Sequence, residues 1–263
     1  MSLSPASVEK AADFLVAQRR AHKRIDEIPA DCRPADFDDA TAVSESVQKK
    51  LGAKTVGWKA GFSAPSNIKQ FNLSAPLFAR LSEGQVFQSP ATIPFARFHA
   101  PMWETEVAFR MAKTLGPRPQ PFTREEVLAA VSAAHLCFEI PDVRFTTGAK
   151  TPLPSLIADS FATAAFVVGP EIPNWRGIAL DGFPAELVVN GAVKAGTVAP
   201  ENRSDPIWVL CGVANGLRAR GLALEAGHVI TTGSATVPTL AQPGDKAVGR
   251  IVGGPEVAAT LTK

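Results

Sequence analysis

The chain has 263 residues, 46% of them hydrophobic and 20% charged, enough for one large domain or two small ones around a sizeable core. A net charge of +2, with no basic run longer than "AQRRAHKR", lacks the electrostatic footprint of a nucleic-acid binder. Cys32, Cys137 and Cys211 form no C-x-x-C pair, and no apolar run approaches the roughly 18 residues of a membrane span, so a reducing, cytoplasmic setting is expected.

In chain order, Ser4 can cap a helix to about His22, with Val8, Ala11, Ala12 and Leu15 on one face. Glu9 and Asp13, and the lack of an apolar core, argue against a leader peptide. "IPADCRPADFDD" reads as a connector, and "DATAVSESVQKKLG" as a second helix stopping at Gly52. These helices suggest an N-terminal helical segment, residues 1–54, before a main body, residues 55–263. From "TVGWKAGF" onward, short strands and Gly/Pro turns dominate. "WETEVAFRM" alternates as a strand: Thr105, Val107, Phe109 and Met111 take one side, and Glu104, Glu106, Ala108 and Arg110 the other. "TREEVLAAVSAAH" is expected to be a helix, with Thr123 and Glu126 at capping-box spacing. "AELVVNGAVKAG" predicts a hairpin turning at Asn190-Gly191. "SDPIWVLCGVANGLRARG" predicts a helix capped by Asp205, begun by Pro206 and stopped at Gly221. "HVITTG", "AVGRIVG" and "EVAATLT" are three closing strands, with "QPGD" a turn between the first two. Helices and strands do not alternate regularly, so the class expected is α+β, with a mostly antiparallel or mixed sheet wrapped into a roll or barrel.

The chain has no Gly-rich phosphate loop, G-x-S-x-G elbow or H-E-x-x-H pair. Its unusual feature is like charge in apolar company. Glu-x-Glu on a strand is common on wet faces, but Glu104 and Glu106 follow Met102 and Trp103, and Glu139 lies between Phe138 and Ile140. Carboxylates gathered without a counter-charge would repel and their pKa values would rise. A divalent cation removes that conflict, and an all-oxygen site selects Mg2+, Mn2+ or Ca2+ over zinc. Lys59, between Gly57 and Gly61, is either a surface lysine or a cation that binds a carboxylate or stabilises an enolate. "ITTGSATVP" is either a plain turn or a cradle of backbone N–H groups for an anionic ligand. Of the histidines, His22 reads as solvated, His135 as a helix end and His228 as a strand start. His99, five residues before Glu104, is the one candidate near such a site, with a structural role the plainer reading.

"GWKAGFS", "P-x-W-E-T-E-V-A-F", "FEIPDVRF", "LIADS", "TTGS" and "PGD" follow one another in an order that resembles the hydratase/decarboxylase branch of the fumarylacetoacetate hydrolase superfamily, over nearly the whole chain. The resemblance implies a mixed β-roll and a Mg2+- or Mn2+-dependent lyase of short 2-keto or 2-hydroxydienoate acids from aromatic catabolism, of the 2-keto-4-pentenoate hydratase kind or a related decarboxylase. By position it implies Glu104, Glu106 and Glu139 as metal carboxylates, Lys59 as the substrate-facing lysine, and Thr232, Gly233 and Ser234 as a carboxylate-binding turn. Arg144 and Asp159 fall on positions the family usually fills with the same residue types, implying substrate binding. It also implies a homo-oligomer, a dimer or larger, and a complex with a partner decarboxylase or hydratase as a candidate assembly. Three departures stand out. The segment between "IKQFNL" and "LF" is shorter than in the hydratases and lacks their Asp, Ala162 stands where a Ser is usual, and Asp205-Pro206 replaces a typical His-Pro. Two other readings remain: a C–C bond hydrolase of acylpyruvates using a His–Glu pair with His99, and a non-catalytic keto-acid-binding or partner subunit.

Overall fold

Two capped helices open the computed structural model, which describes residues 2–263 apart from the side chain of Ala149. Helix α1 (Pro5–Arg20) begins where the Ser4 side chain accepts from the Ser7 N–H. Helix α2 (Phe37–Leu51) begins at Asp36, whose carboxylate accepts from Asp39, and ends at Gly52 with φ 66°. Their apolar faces, with Ala12, Leu15, Val43 and Val47, share one cluster with Phe145, Ile157 and Phe161 from far along the chain.

The body follows as β1 (Thr55–Gly61), α3 (Pro65–Phe71), β2 (Leu77–Ser82), β3 (Val86–Gln88), β4 (Ala91–Pro94) and β5 (Met102–Met111). Then come α4 (Arg124–Ala129), β6 (Val131–Ile140), α5 (Leu153–Ala158), β7 (Ala165–Glu171), β8 (Ala185–Val189) and β9 (Ala192–Ala195). Helix α6 (Pro206–Ala219), β10 (Val229–Ser234), β11 (Thr239–Leu240), β12 (Lys246–Ile251) and β13 (Glu256–Thr262) complete it. The larger sheet has the order β2-β1-β10-β5-β6-β7-β3, with β11 paired to β5, and the smaller has the order β4-β13-β12-β8-β9. Parallel pairs (β1 with β10, β3 with β7, β4 with β13) occur among antiparallel ones, so the sheets are mixed as expected. The sheets touch where β12 crosses β5 and β6. A Cβ at Gly249 would stand 2.6 Å from Thr105 Oγ1, so only glycine lets the backbones approach there.

Several local signals form as read. Asn190 (φ 52°) and Gly191 (φ 82°) turn the β8–β9 hairpin, and Asp205 caps α6 through the N–H groups of Ile207 and Trp208. One expectation is corrected. The helix foreseen over "TREEVLAAVSAAH" keeps its Thr123–Glu126 capping box but stops at Ala129. Val131 to His135 belong to β6, which pairs with β5 from Met111↔Val131 to Glu104↔Glu139. That ladder between distant segments overrides the helix preference of an alanine-rich run. His135 is therefore a strand residue rather than a helix end, its Nδ1 lying 3.0 Å from Gly169 O. Among the described residues, no helix is long and apolar enough to cross a membrane.

Candidate active site

Glu104 and Glu106 share one face of β5 because alternate strand residues point the same way. Register sets Glu139 of β6 directly across from Glu104, so the β5–β6 pairing brings three carboxylates to one patch. On the other side of β5 lies β10, and beyond it β1, which carries Lys59. The β10–β5 ladder slips by one residue: Thr231 faces Ala108 and Ser234 faces Glu106, three residues against two. That bulge turns the N–H groups of Thr232 and Gly233 inward, where both donate to Glu106 Oε2 at 3.0 and 2.9 Å. Gly233 sits at φ 103°, and a Cβ there would lie 2.5 Å from Ser204 Oγ.

Lys59 is buried. Its ammonium donates to Phe161 O at 3.0 Å and lies 2.9 Å from Glu139 Oε2. Lys59 and Glu139 form a buried ion pair, and neither Glu139 oxygen has a further partner among the described residues. The carbonyl that meets Lys59 belongs to a left-handed turn, with Ser160, Phe161 and Ala162 at φ 55°, 53° and 55°. Such non-glycine conformations cost on the order of 1–3 kcal/mol each and persist only where the surroundings impose them. Here Arg19 of α1 and Gln48 of α2 donate to Ser160 Oγ, while Arg19 and Arg144 each bind Asp159 at 2.8 Å. The N-terminal helices thus hold the turn that aims a carbonyl at the lysine.

The electrostatics follow from this crowding. Burial, then the charge of Glu104, pushes Glu106 up to about 8, against the opposing N–H groups of Gly233 and Thr232 and the charge of Lys59. Burial also raises Glu104, which lines the cavity partly buried, and raises Glu139 well above the carboxylate range, with Lys59 opposing in both cases. For Lys59, burial alone would lower the pKa, but the charges of Glu139 and Glu104 outweigh it and raise it, so the amine stays protonated. Three desolvated carboxylates thus face one ammonium. Glu104, Glu106 and Lys59 line a cavity of about 540 Å³ that also meets Gly233, Ser234 and the Phe161 side chain.

The donor set suits a hard divalent cation: all oxygens, three carboxylates to one ammonium, and a buried Glu139 paired only with Lys59 among the described residues. Among the described residues, however, no three His, Cys, Asp or Glu side chains are arranged as a finished metal cage.

No family model matches the chain. It is 32% identical over 219 residues to a 4-oxalocrotonate decarboxylase from a Pseudomonas species, covering 79% of this chain and 82% of that one. The chain belongs to the hydratase/decarboxylase branch of the fumarylacetoacetate hydrolase superfamily. A 2-oxo-hept-4-ene-1,7-dioate hydratase from Escherichia coli is 30% identical over 251 residues, covering 90% of this chain and 93% of the relative. The fold matches that of 4-oxalocrotonate decarboxylase from Pseudomonas putida G7, complexed with magnesium and adipate, with a TM-score of 0.86, 22% identity and 99% of each chain covered.

Against the positions expected from this branch, the structure brings Lys59, Glu104, Glu106, Glu139, Gly233 and Ser234 together. The other positions named from the sequence have different surroundings. The N–H groups of Thr232 and Gly233 are taken up by Glu106, so the anion they hold is the chain's own carboxylate, and Thr232 Oγ1 donates to Val107 O. Arg144 does not line this cavity but a second one, of about 370 Å³. Asp159 is likewise outside the first cavity, and its oxygens are bound by Arg19 and Arg144 in a buried structural cluster. His99 lines the second cavity too, stacked on His22 with ring centroids 4.2 Å apart, so it makes no His–Glu pair in the first. What sequence reasoning missed is the Phe161 carbonyl and its left-handed turn. "ADSFA" contains no glycine, and no local signal marks three consecutive residues at positive φ.

Proposed function

We propose that this chain is a divalent-metal-dependent lyase of short 2-keto and 2-hydroxydienoate acids. Hydration of the 2-keto-4-pentenoate kind is its first reaction, and decarboxylation of a related keto acid is the alternative outcome of the same enolate chemistry. The carrying observation is the meeting of Glu104, Glu106 and the buried Lys59 at one cavity, above Glu139, in a member of this branch. The relatives' names, a decarboxylase and a hydratase, support the reaction class, and the similar fold complexed with magnesium supports the choice of cation.

Glu104, Glu106 and Glu139 would hold Mg2+ or Mn2+. The chemistry such an ion supplies there is Lewis-acid polarisation of a 2-keto acid's keto and carboxylate oxygens. The Lys59 ammonium is fixed by Phe161 O and kept protonated by the carboxylates, so it presents positive charge where an enolate oxygen develops during tautomerisation or loss of CO₂. Being preorganised in a dry site, it needs little rearrangement as that charge forms. The side chains of Phe62, Phe161 and Val198 exclude water from part of the cavity. Among the described lining residues the titratable groups are Lys59, Glu104 and Glu106, so proton movement at the substrate carbon falls to them and to water. The hydrolase reading lacks support, because His99 lies in the other cavity against His22.

Under this reading residues 1–54 are a helical segment that supports a catalytic roll of residues 55–263. The protein works in the cytoplasm as a homo-oligomer, with a partner decarboxylase or hydratase as a candidate complex. The test is a spectrophotometric assay on 2-hydroxypenta-2,4-dienoate and related 2-keto acids. Absorbance change that needs Mg2+ or Mn2+ and stops with a chelator is expected. No turnover of any of these acids with either cation would reject the proposal and leave the non-catalytic reading.

A further inference from the structure

We infer that the second cavity, of about 370 Å³, is an anion site suited to a phosphate group. The proposed lyase chemistry makes no use of it. The carrying observation is an imbalance of charge. Arg19, Arg97 and Arg144 line the cavity from three segments: the end of α1, the turn after β4 and the connection after β6. Against them stand Asp142 in the wall and Asp159 behind it. Asp159, 2% exposed, is shared by Arg19 and Arg144, whose side chains are only 13% and 14% exposed. Asp142 accepts from the N–H groups of His99 and Ala100 at 2.9 and 2.7 Å. Arg97 has a neutral partner, Gly84 O. With both histidines neutral, one positive charge therefore remains without a counter-charge in the wall. Such a charge is costly where water is scarce, and a bound anion removes the cost.

The donors left over are cationic. Arg19 and Arg144 bind Asp159 and Ser160 through Nε and Nη2, which leaves Nη1 of each without a partner among the described residues. The neutral groups of the wall are bonded within the chain: Ser82 Oγ donates to Gln48 Oε1, Gln48 Nε2 to Ser160 Oγ and Gln85 Nε2 to Thr163 O. The stacked rings of His22 and His99 add two imidazoles. Burial holds His99 below the usual histidine value. Asp142 opposes that, while the charges of His22, Arg144 and Arg24 add to it, as expected in a positive field. Donors arriving from three segments suit a tetrahedral oxyanion with several terminal oxygens better than a carboxylate, which a single guanidinium fork can satisfy. Because Arg19 and Arg144 also grip Asp159 and Ser160, a bound phosphate should raise the melting temperature as well.

The test is calorimetric titration of the full chain with inorganic phosphate, in chloride buffer of constant ionic strength so that general screening stays fixed. Binding at one site per chain, with a Kd of about 1 mM or tighter, is expected both with and without Mg2+. Acetate should bind about tenfold more weakly or not at all. Arg97 is exposed, so Arg97→Gln should leave the melting temperature without phosphate little changed. It should weaken phosphate binding by about tenfold or more, the worth of a hydrogen bond to a charged group. Glu104→Gln, in the first cavity, should leave phosphate affinity as it was. A parallel titration with glycerol 3-phosphate separates the sources: tighter binding than inorganic phosphate marks a phosphate monoester, and weaker binding marks free phosphate. The inference is overturned by an absence of saturable phosphate binding, by acetate binding as tightly, or by unchanged affinity in Arg97→Gln. Binding that needs Mg2+, or that is lost in Glu104→Gln, places the anion in the first cavity and overturns it too. Each of these results leaves the lyase reading standing, since its chemistry lies in the other cavity.

Discussion

Glu104 shows how much one side chain depends on its neighbours' charge. It points into the cavity beside Glu106, across the ladder from Glu139, with Lys59 the single cation set against all three. As a metal carboxylate it should dominate cation affinity while contributing little to the fold, because it is partly buried beside like charge. Glu104→Ala is expected to weaken Mg2+ binding by about 100-fold, at the upper end of what even supporting residues of metal sites contribute. Thermal stability without metal should hold or rise as like-charge repulsion is relieved. Calorimetry reads the first and a melting curve the second. Unchanged Mg2+ affinity would remove Glu104 from the metal site. Glu106 differs from it in being held by two backbone N–H groups, so its orientation is set by the β10 bulge.

At the scale of elements, the connection after α5 matters most. Asp159 ends that helix, binds Arg19 of α1 and Arg144, and leads into the left-handed turn whose carbonyl meets Lys59. Asp159→Asn would leave two largely buried guanidinium groups short of a counter-charge, a loss of about 3–5 kcal/mol of stability. Denaturant unfolding at neutral pH measures it. The pH dependence has a definite sign. Burial alone would raise the Asp159 pKa, but Arg144 and Arg19 outweigh it and hold it below the ordinary value. The stabilisation is therefore full above the unfolded value of roughly 3.9 and is lost as pH falls through the lower, folded value. The parent should lose this contribution on acidification, and Asp159→Asn should show a shallower dependence over the same range. Equal slopes would contradict the ion pair's role.

For the molecule as a whole, the contact between the two sheets is the least forgiving feature. Gly249 of β12 meets Thr105 and Phe138, both fully buried, on the face of β5 and β6 opposite the carboxylates. Gly249→Val would force the sheets apart and is expected to cost about 1–3 kcal/mol or more, read as a lower denaturation midpoint. Because Thr105 and Phe138 are the immediate chain neighbours of Glu104, Glu106 and Glu139, Mg2+ affinity should fall in the same variant. Full affinity with lowered stability would show that the site tolerates movement of the sheet beneath it.

Features decided within a few residues were legible in the sequence. Ser4 and Asp205 cap their helices, Gly52 stops one, Asn190-Gly191 turns a hairpin, and alternation aligns Glu104 with Glu106, because each depends on bonds or periodicity spanning a single turn. The ordered motifs also identified the branch and its mixed roll. Only the tertiary structure decided the rest, because the deciding partners are remote in the chain. Pairing with β5 made Val131–His135 a strand, Arg19 claimed Asp159 from 140 positions away, Glu106 took the N–H groups of Thr232 and Gly233, and stacking on His22 withdrew His99 from the site. The left-handed turn at Ser160–Ala162 belongs here too, since its strain is tolerated only under the grip of two helices that begin the chain.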